Sequence, residues 1–127
     1  MKLAVDTNRY SDFAKGTPDV VAALERAEAL YLPFVVLAEL RCGFLGGTKL
    51  KQNEVGLDRF LGRHNVHRLY ADDQTTYCYA AIHEQLRRQG TPIPTNDLWI
   101  AALAVQHGLT LYARDAHFDH LPQIARL

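Results

Sequence analysis

Short apolar runs alternate along this chain with longer stretches whose apolar residues recur every three or four positions. Residues 2–6 (KLAVD) form a first predicted strand. A helix follows over 17–27, with Thr17 as its cap and Pro18 at its first turn. Residues 29–32 (ALYL) make a second strand that Pro33 stops. The run 34–45 (FVVLAELRCGFL) exceeds the length of a usual strand and is predicted helical despite its Val pair. Gly46 and Gly47 end it. A more polar helix covers 49–62 and a third strand 65–70. Asp72-Asp73 then caps a helix running to Arg88, which Gly90 closes. Pro94-Thr95-Asn96 opens another helix over 97–107, ended by Gly108. A fourth strand spans 109–112, a short helix 114–121, and a last extended stub lies near Ile124.

Strands separated by helices predict a parallel sheet with both faces covered by right-handed crossovers. In such folds the functional groups collect at the carboxyl ends of the strands. No linker, repeat or low-complexity stretch interrupts the pattern, so residues 1–127 are expected to form a single domain.

Composition narrows the function classes. Lys plus Arg number 14 and Asp plus Glu 14, a net charge of zero. This excludes a binder that works through a large positive field, but not a nuclease whose metal brings its own charge. Cys42 and Cys78 stand far apart in apolar surroundings and are expected to be reduced core residues. Residues 1–5 lead straight into Asp6 with no secretory apolar region, and no apolar run approaches bilayer length. The expected setting is cytoplasmic, without a membrane partner.

The candidate chemistry lies in four carboxylates. Asp6 ends the first strand and Asp115 follows the fourth by three residues, which sets both at the same sheet edge. Each also stands where a helix N-cap belongs. Glu39 shares a helical face with Val35, Val36, Cys42 and Gly43, an apolar stripe on which an unpartnered carboxylate is costly. A surface position on a differently rotated helix is the competing reading. Asp97 shares a face with Ile100, Ala101 and Ala104; small residues there let the helix approach the sheet. It is equally placed to complement the helix dipole. Four acids brought together repel one another, and a hard dication such as Mg²⁺ or Mn²⁺ resolves that repulsion while leaving waters for phosphate chemistry.

Four short motifs, in order, carry a resemblance over essentially the whole chain. Val5-Asp6-Thr7-Asn8 resembles the "DTN" opening of PIN domains, and Ala38-Glu39-Leu40 their second acidic motif. Asn96-Asp97-Leu98-Trp99-Ile100-Ala101-Ala102 is similar to the "ND-x-x-IAA" helix start. Arg114-Asp115-Ala116-His117-Phe118 is similar to the final "RD-x-HF" motif. The order and spacing match the VapC-type subset of the family. The resemblance implies a three-layer α/β/α sandwich around a mostly five-stranded parallel sheet. It also implies a Mg²⁺- or Mn²⁺-dependent endoribonuclease toxin, acting on RNA, dimeric, and neutralised by a VapB-type antitoxin. By matching position, Asp6, Glu39, Asp97 and Asp115 are the catalytic and metal-holding residues, with Thr7 and Asn8 in support. One departure stands out: the family carries Thr or Ser two residues before the last aspartate, where this chain has Ala113. The missing hydroxyl leads us to expect one tight metal and at most one weak one.

Other residues are weighed against the same frame. Asp72-Asp73 fits a helix cap, and His117 and His120 read as surface histidines on a short terminal helix. Arg9, Lys15 and Arg114 stand near the acids in sequence; Arg114 is the first choice for an RNA phosphate contact. Phe34, Leu37, Leu40 and Phe44 are read as core, with a second copy or an antitoxin helix as the sharper alternative. A catalytically silent PIN-like binding module is the main competing function. A receiver-type signalling domain lacks its paired acids and lysine here, and a haloacid-dehalogenase phosphatase its second aspartate.

Overall fold

The computed structural model describes all residues, 1–127, as one α/β unit. In chain order the elements are β1 (Lys2–Val5), α1 (Thr7–Ala14), α2 (Pro18–Arg26), β2 (Ala29–Pro33), α3 (Phe34–Gly46) and α4 (Leu50–Leu61). They continue with β3 (Val66–Leu69), α5 (Asp73–Gln89), α6 (Thr95–His107), β4 (Thr110–Tyr112) and a 3₁₀ turn over Ala116–His120. The four strands are ordered β3-β2-β1-β4, and every pairing is parallel. Leu3, Ala4 and Val5 are all buried although successive side chains point to opposite faces, so the sheet is covered on both sides.

The fifth strand expected from the resemblance is reduced to one bridge, Leu111 to Arg126. The last residues meet β4 at a single position: Leu111 donates to Ala125 at 2.8 Å and accepts from Leu127 at 3.1 Å. Arg126, between them, turns its guanidinium back to the Ala113 carbonyl at 2.6 Å.

Two further expectations are corrected. Helix α1 is absent from the predicted elements, because its segment is polar apart from Tyr10 and Phe13. Its start is set instead by Asp6, whose carboxylate accepts from the Arg9 N–H at 2.8 Å. Cys42 is exposed rather than in the core, and Cys78 is half-buried. Helix α3 buries Val35, Val36, Leu37 and Leu40 near its start, and Cys42 lies beyond them on a part of the helix that leaves the core.

The helix cap at Asp72 is as expected, a reciprocal capping box with Thr75. Gly90 and Gly108 close α5 and α6 in the left-handed conformation, at φ 72° and 62°.

Candidate active site

The strand order reverses at β1, which has β2 on one side and β4 on the other. In open α/β sheets such a switch point is where ligands bind, beyond the carboxyl ends of the strands, and the first two acids follow the two strands that meet there, β1 and β4. Val5 pairs with Tyr112, and the Asp6 N–H bonds the Tyr112 carbonyl at 3.2 Å, so the segments bearing Asp6 and Asp115 leave the sheet side by side. Asp6 is only 6% exposed. Burial pushes its pKa up from an ordinary 3.8 to about 6, against the lowering pull of the Arg9 N–H and of the Arg9 and Arg114 charges; the negative charge of Asp97 adds to the rise.

Glu39 is half-buried on α3 and accepts a hydrogen bond from Thr7 Oγ1 at 3.2 Å. Burial raises its pKa, the Thr7 bond opposes that, and Asp97 again adds to the rise. The Thr7 hydroxyl thus ties the start of α1 to a carboxylate on α3. Asn8 is exposed at the start of α1.

Asp97 is the common member of the group. It acts electrostatically on both Asp6 and Glu39, and its Oδ2 lies 2.8 Å from His117 Nδ1. Its place depends on α6 seating closely: Ala101 and Ala102 are fully buried and Ala104 nearly so. Asp115 caps the 3₁₀ turn through the His117 N–H at 2.9 Å, and its Oδ1 lies 3.0 Å from His117 Nδ1. Donor atoms of Asp97, Asp115 and His117 all fall within 4.8 Å of one another. Asp6 and Glu39 stand outside this tight trio and join the site through Asp97.

His117 is thus no mere surface histidine, although His120 is exposed. Two other site residues were not legible. Asp12, buried on α1, lies 3.7 Å from Arg9 Nη1 and 3.5 Å from Arg114 Nη1. The Arg9 guanidinium also stacks over the Tyr112 ring at 4.5 Å. Arg126 bonds the carbonyls of Ala113 at 2.6 Å and Asp115 at 3.3 Å. The only advance signal was position: Asp12 follows Arg9 by three residues on a helix, and Arg126 falls beside the last strand.

The donor set is chemically suited to a dication. Two carboxylates whose burial favours protonation, and a third that worsens both, form an arrangement that a bound cation stabilises. Oxygen donors from β1, α3, α6 and the loop after β4 are those that Mg²⁺ or Mn²⁺ takes.

Comparison with known proteins agrees with this geometry. The sequence profile of the PIN domain matches residues 3–124. Ribonuclease VapC1 of Haemophilus influenzae is 33% identical over 113 residues, 86% of this chain and 80% of that protein. Toxin FitB of Neisseria gonorrhoeae is 35% identical over 127 aligned positions, covering 89% and 87%. Among solved structures, VapBC2 from Rickettsia felis, bound to a DNA fragment from its promoter, superposes with a TM-score of 0.88 at 27% identity. That match covers 100% of this chain and 98% of that one. From the profile, the relatives and the superposition together, the chain belongs to the PIN domain family.

Proposed function

We propose that this chain is a Mg²⁺- or Mn²⁺-dependent endoribonuclease, the toxin of a VapBC-type pair, which hydrolyses RNA phosphodiester bonds. The observation that carries this reading is the position of Asp97, coupled to Asp6 and Glu39 on one side and within reach of Asp115 through His117 on the other. When bound, the cation supplies a polarised water and charge neutralisation at the phosphate. The chain's own residues do the rest. Asp6, Glu39, Asp97 and Asp115 hold the ion, Thr7 fixes the Glu39 rotamer, and Asn8 stands exposed beside them. Arg114, with a side chain 52% exposed beyond its contact with Asp12, is placed to take a phosphate of the RNA strand.

The names of the relatives support RNA as substrate and an antitoxin as partner. A groove of about 660 Å³, lined by Tyr10, Ala14, Phe44, Val55 and Gly56 among others, contains none of the four acids and suits a VapB-type segment. Of the apolar face singled out in the sequence, Leu37 and Leu40 are core, Phe44 lines this groove and Phe34 packs on Trp99 at 5.9 Å. A homodimer and a cytoplasmic setting belong to the same reading. No helix is long and apolar enough to cross a membrane.

The test is cleavage of end-labelled RNA with Mn²⁺ or Mg²⁺, set against EDTA and Asp6→Asn. Hydrolysis by water leaves 5′-phosphate and 3′-hydroxyl ends; a cyclic phosphate would point to attack by the 2′-hydroxyl and end this reading. Calorimetry is expected to find one tight Mn²⁺ and at most one weak one, because Ala113 lacks a hydroxyl; two equally tight sites would refute that part. The silent-module reading rests on Ala113 alone, and its mark is metal binding with no cleavage of varied RNAs.

A further inference from the structure

We propose that His117 is itself a metal ligand, binding through Nδ1 beside Asp97 and Asp115, and that it makes this position a mixed nitrogen–oxygen site favouring Mn²⁺ over Mg²⁺. The proposal rests on the metal-dependent reading above and adds to it a residue and a selectivity.

The spacing of the donors is the first argument. His117 Nδ1 lies 2.8 Å from Asp97 Oδ2 and 3.0 Å from Asp115 Oδ1. Adjacent ligands on an octahedral ion with bonds of about 2.1 Å stand about 3.0 Å apart. The nitrogen therefore already stands at ligand-to-ligand spacing from both carboxylates, whose oxygens lie within 4.8 Å of each other.

The second argument is the local geometry. The carboxylate of Asp115 accepts from the backbone N–H of His117 at 2.9 Å, and this fixes the turn that carries both residues. It places the imidazole on the same side as the carboxylate. Asp97 arrives from α6 to complete the set. The His117 side chain is 44% exposed, so no packing constraint forces its ring inward. With water available, the ring still turns Nδ1 to the acids.

The third is valence. Nδ1 carries one proton at most, which one acceptor can use well, yet two carboxylate oxygens crowd it. A cation accepting electron pairs from the nitrogen and both oxygens satisfies all three at once. Imidazole is a ligand for transition metals, whereas Mg²⁺ keeps to oxygen and sheds water reluctantly. The nitrogen thus tilts the position toward Mn²⁺. The other reading of the same contacts is a hydrogen-bonded bridge that leaves when metal arrives.

Pulsed electron paramagnetic resonance on the Mn²⁺-loaded full chain separates the two. A directly coordinated imidazole imposes a nitrogen modulation on the manganese echo. We expect that modulation in the wild type and in His120→Asn, and its loss in His117→Asn. Uniform ¹⁵N labelling of histidine must change its pattern in the wild type, a check that needs no variant to fold. Competition calorimetry should show the Mn²⁺-to-Mg²⁺ affinity ratio of His117→Asn falling about 10-fold or more. Bound Mn²⁺ without nitrogen coupling, or an unchanged ratio in a folded His117→Asn, overturns the proposal and leaves the carboxylate centre standing. A wild type that binds no Mn²⁺ at all defeats the metal-dependent reading itself.

Discussion

Arg126 Nη2 donates to the carbonyl oxygen of Ala113 at 2.6 Å, tying the last residues of the chain to the segment that carries Asp115. The same guanidinium reaches the Asp115 carbonyl at 3.3 Å, and its Nη1 holds Asp119 at 2.6 Å. The brace holds the backbone of Ala113, the position at which the family resemblance leads one to expect Thr or Ser. Arg126→Met keeps much of the apolar stem while removing the donors. It is expected to lower Mn²⁺ affinity about 10-fold and to cost about 1–3 kcal/mol of stability. Calorimetry beside urea melts tests both. A loss of stability with metal affinity unchanged would make Arg126 a structural clamp only.

The buried Asp6 should make the metal-free protein less stable as pH rises. Its folded pKa is about 6, above the ordinary 3.8, so the native state holds the proton more tightly than the unfolded chain. Below about 4 both states are protonated and nothing is lost; stability then falls through the window up to about 6 and stays reduced above it. The gap of about two pH units corresponds to at most about 3 kcal/mol. Asp6→Asn, which cannot ionise, is expected to be inactive yet more stable than the wild type at pH 8 without metal. At pH 4 the two should melt alike, and saturating Mn²⁺ should restore the wild type. Equal melting at pH 8 in EDTA would show that solvent or rearrangement already relieves the charge.

Three of the four acids could be placed in advance because they stand at ends of elements, whereas Glu39 lies within α3. Asp6 and Asp115 follow strands whose apolar runs are plain, and β1–β4 pairing then sets them side by side. Asp97 was placed by the alanine face of α6. What escaped the sequence depends on contacts between distant segments. Asp97 and His117 are 20 residues apart, and only the packing of the 3₁₀ turn against α6 brings them together. Asp12 looked like one polar residue among many in a short polar segment, and the two arginines that flank it come from separate parts of the chain. The fifth strand is reduced to the bridge between Leu111 and Arg126, and no periodicity in so short a final segment records that.

The alanines of α6 carry a prediction of their own. Ala101 is fully buried one turn beyond Asp97, and Ile100 and Leu103 on either side are buried too. Ala101→Leu adds volume where none is free, at a cost of about 1–3 kcal/mol if the helix shifts to admit it. That shift moves Asp97 relative to Asp6 and Glu39, so cleavage should fall far more than stability does. Ala101→Gly opens no clash but loosens the helix by about 1 kcal/mol, and should leave most activity intact. If the two variants lose activity equally in step with stability, close seating of α6 is not what positions Asp97.

Arg114 can be tested by salt. Its guanidinium is half-exposed, with Nη1 3.5 Å from Asp12, which leaves the other donors for a phosphate. Each phosphate neutralised on a single strand contributes about −0.7 to the slope of log affinity against log salt concentration. Arg114→Gln should therefore weaken RNA binding by inactive Asp6→Asn protein and make that slope shallower by about 0.7, whatever the RNA sequence. Asp12→Asn frees Arg114 from its partner without removing the cation, so it should leave the slope near that of the parent while weakening affinity only a few-fold. Fluorescence anisotropy across a salt series reads both variants. A slope unaltered by Arg114→Gln would remove this residue from the RNA path and leave it as the counter-ion of Asp12.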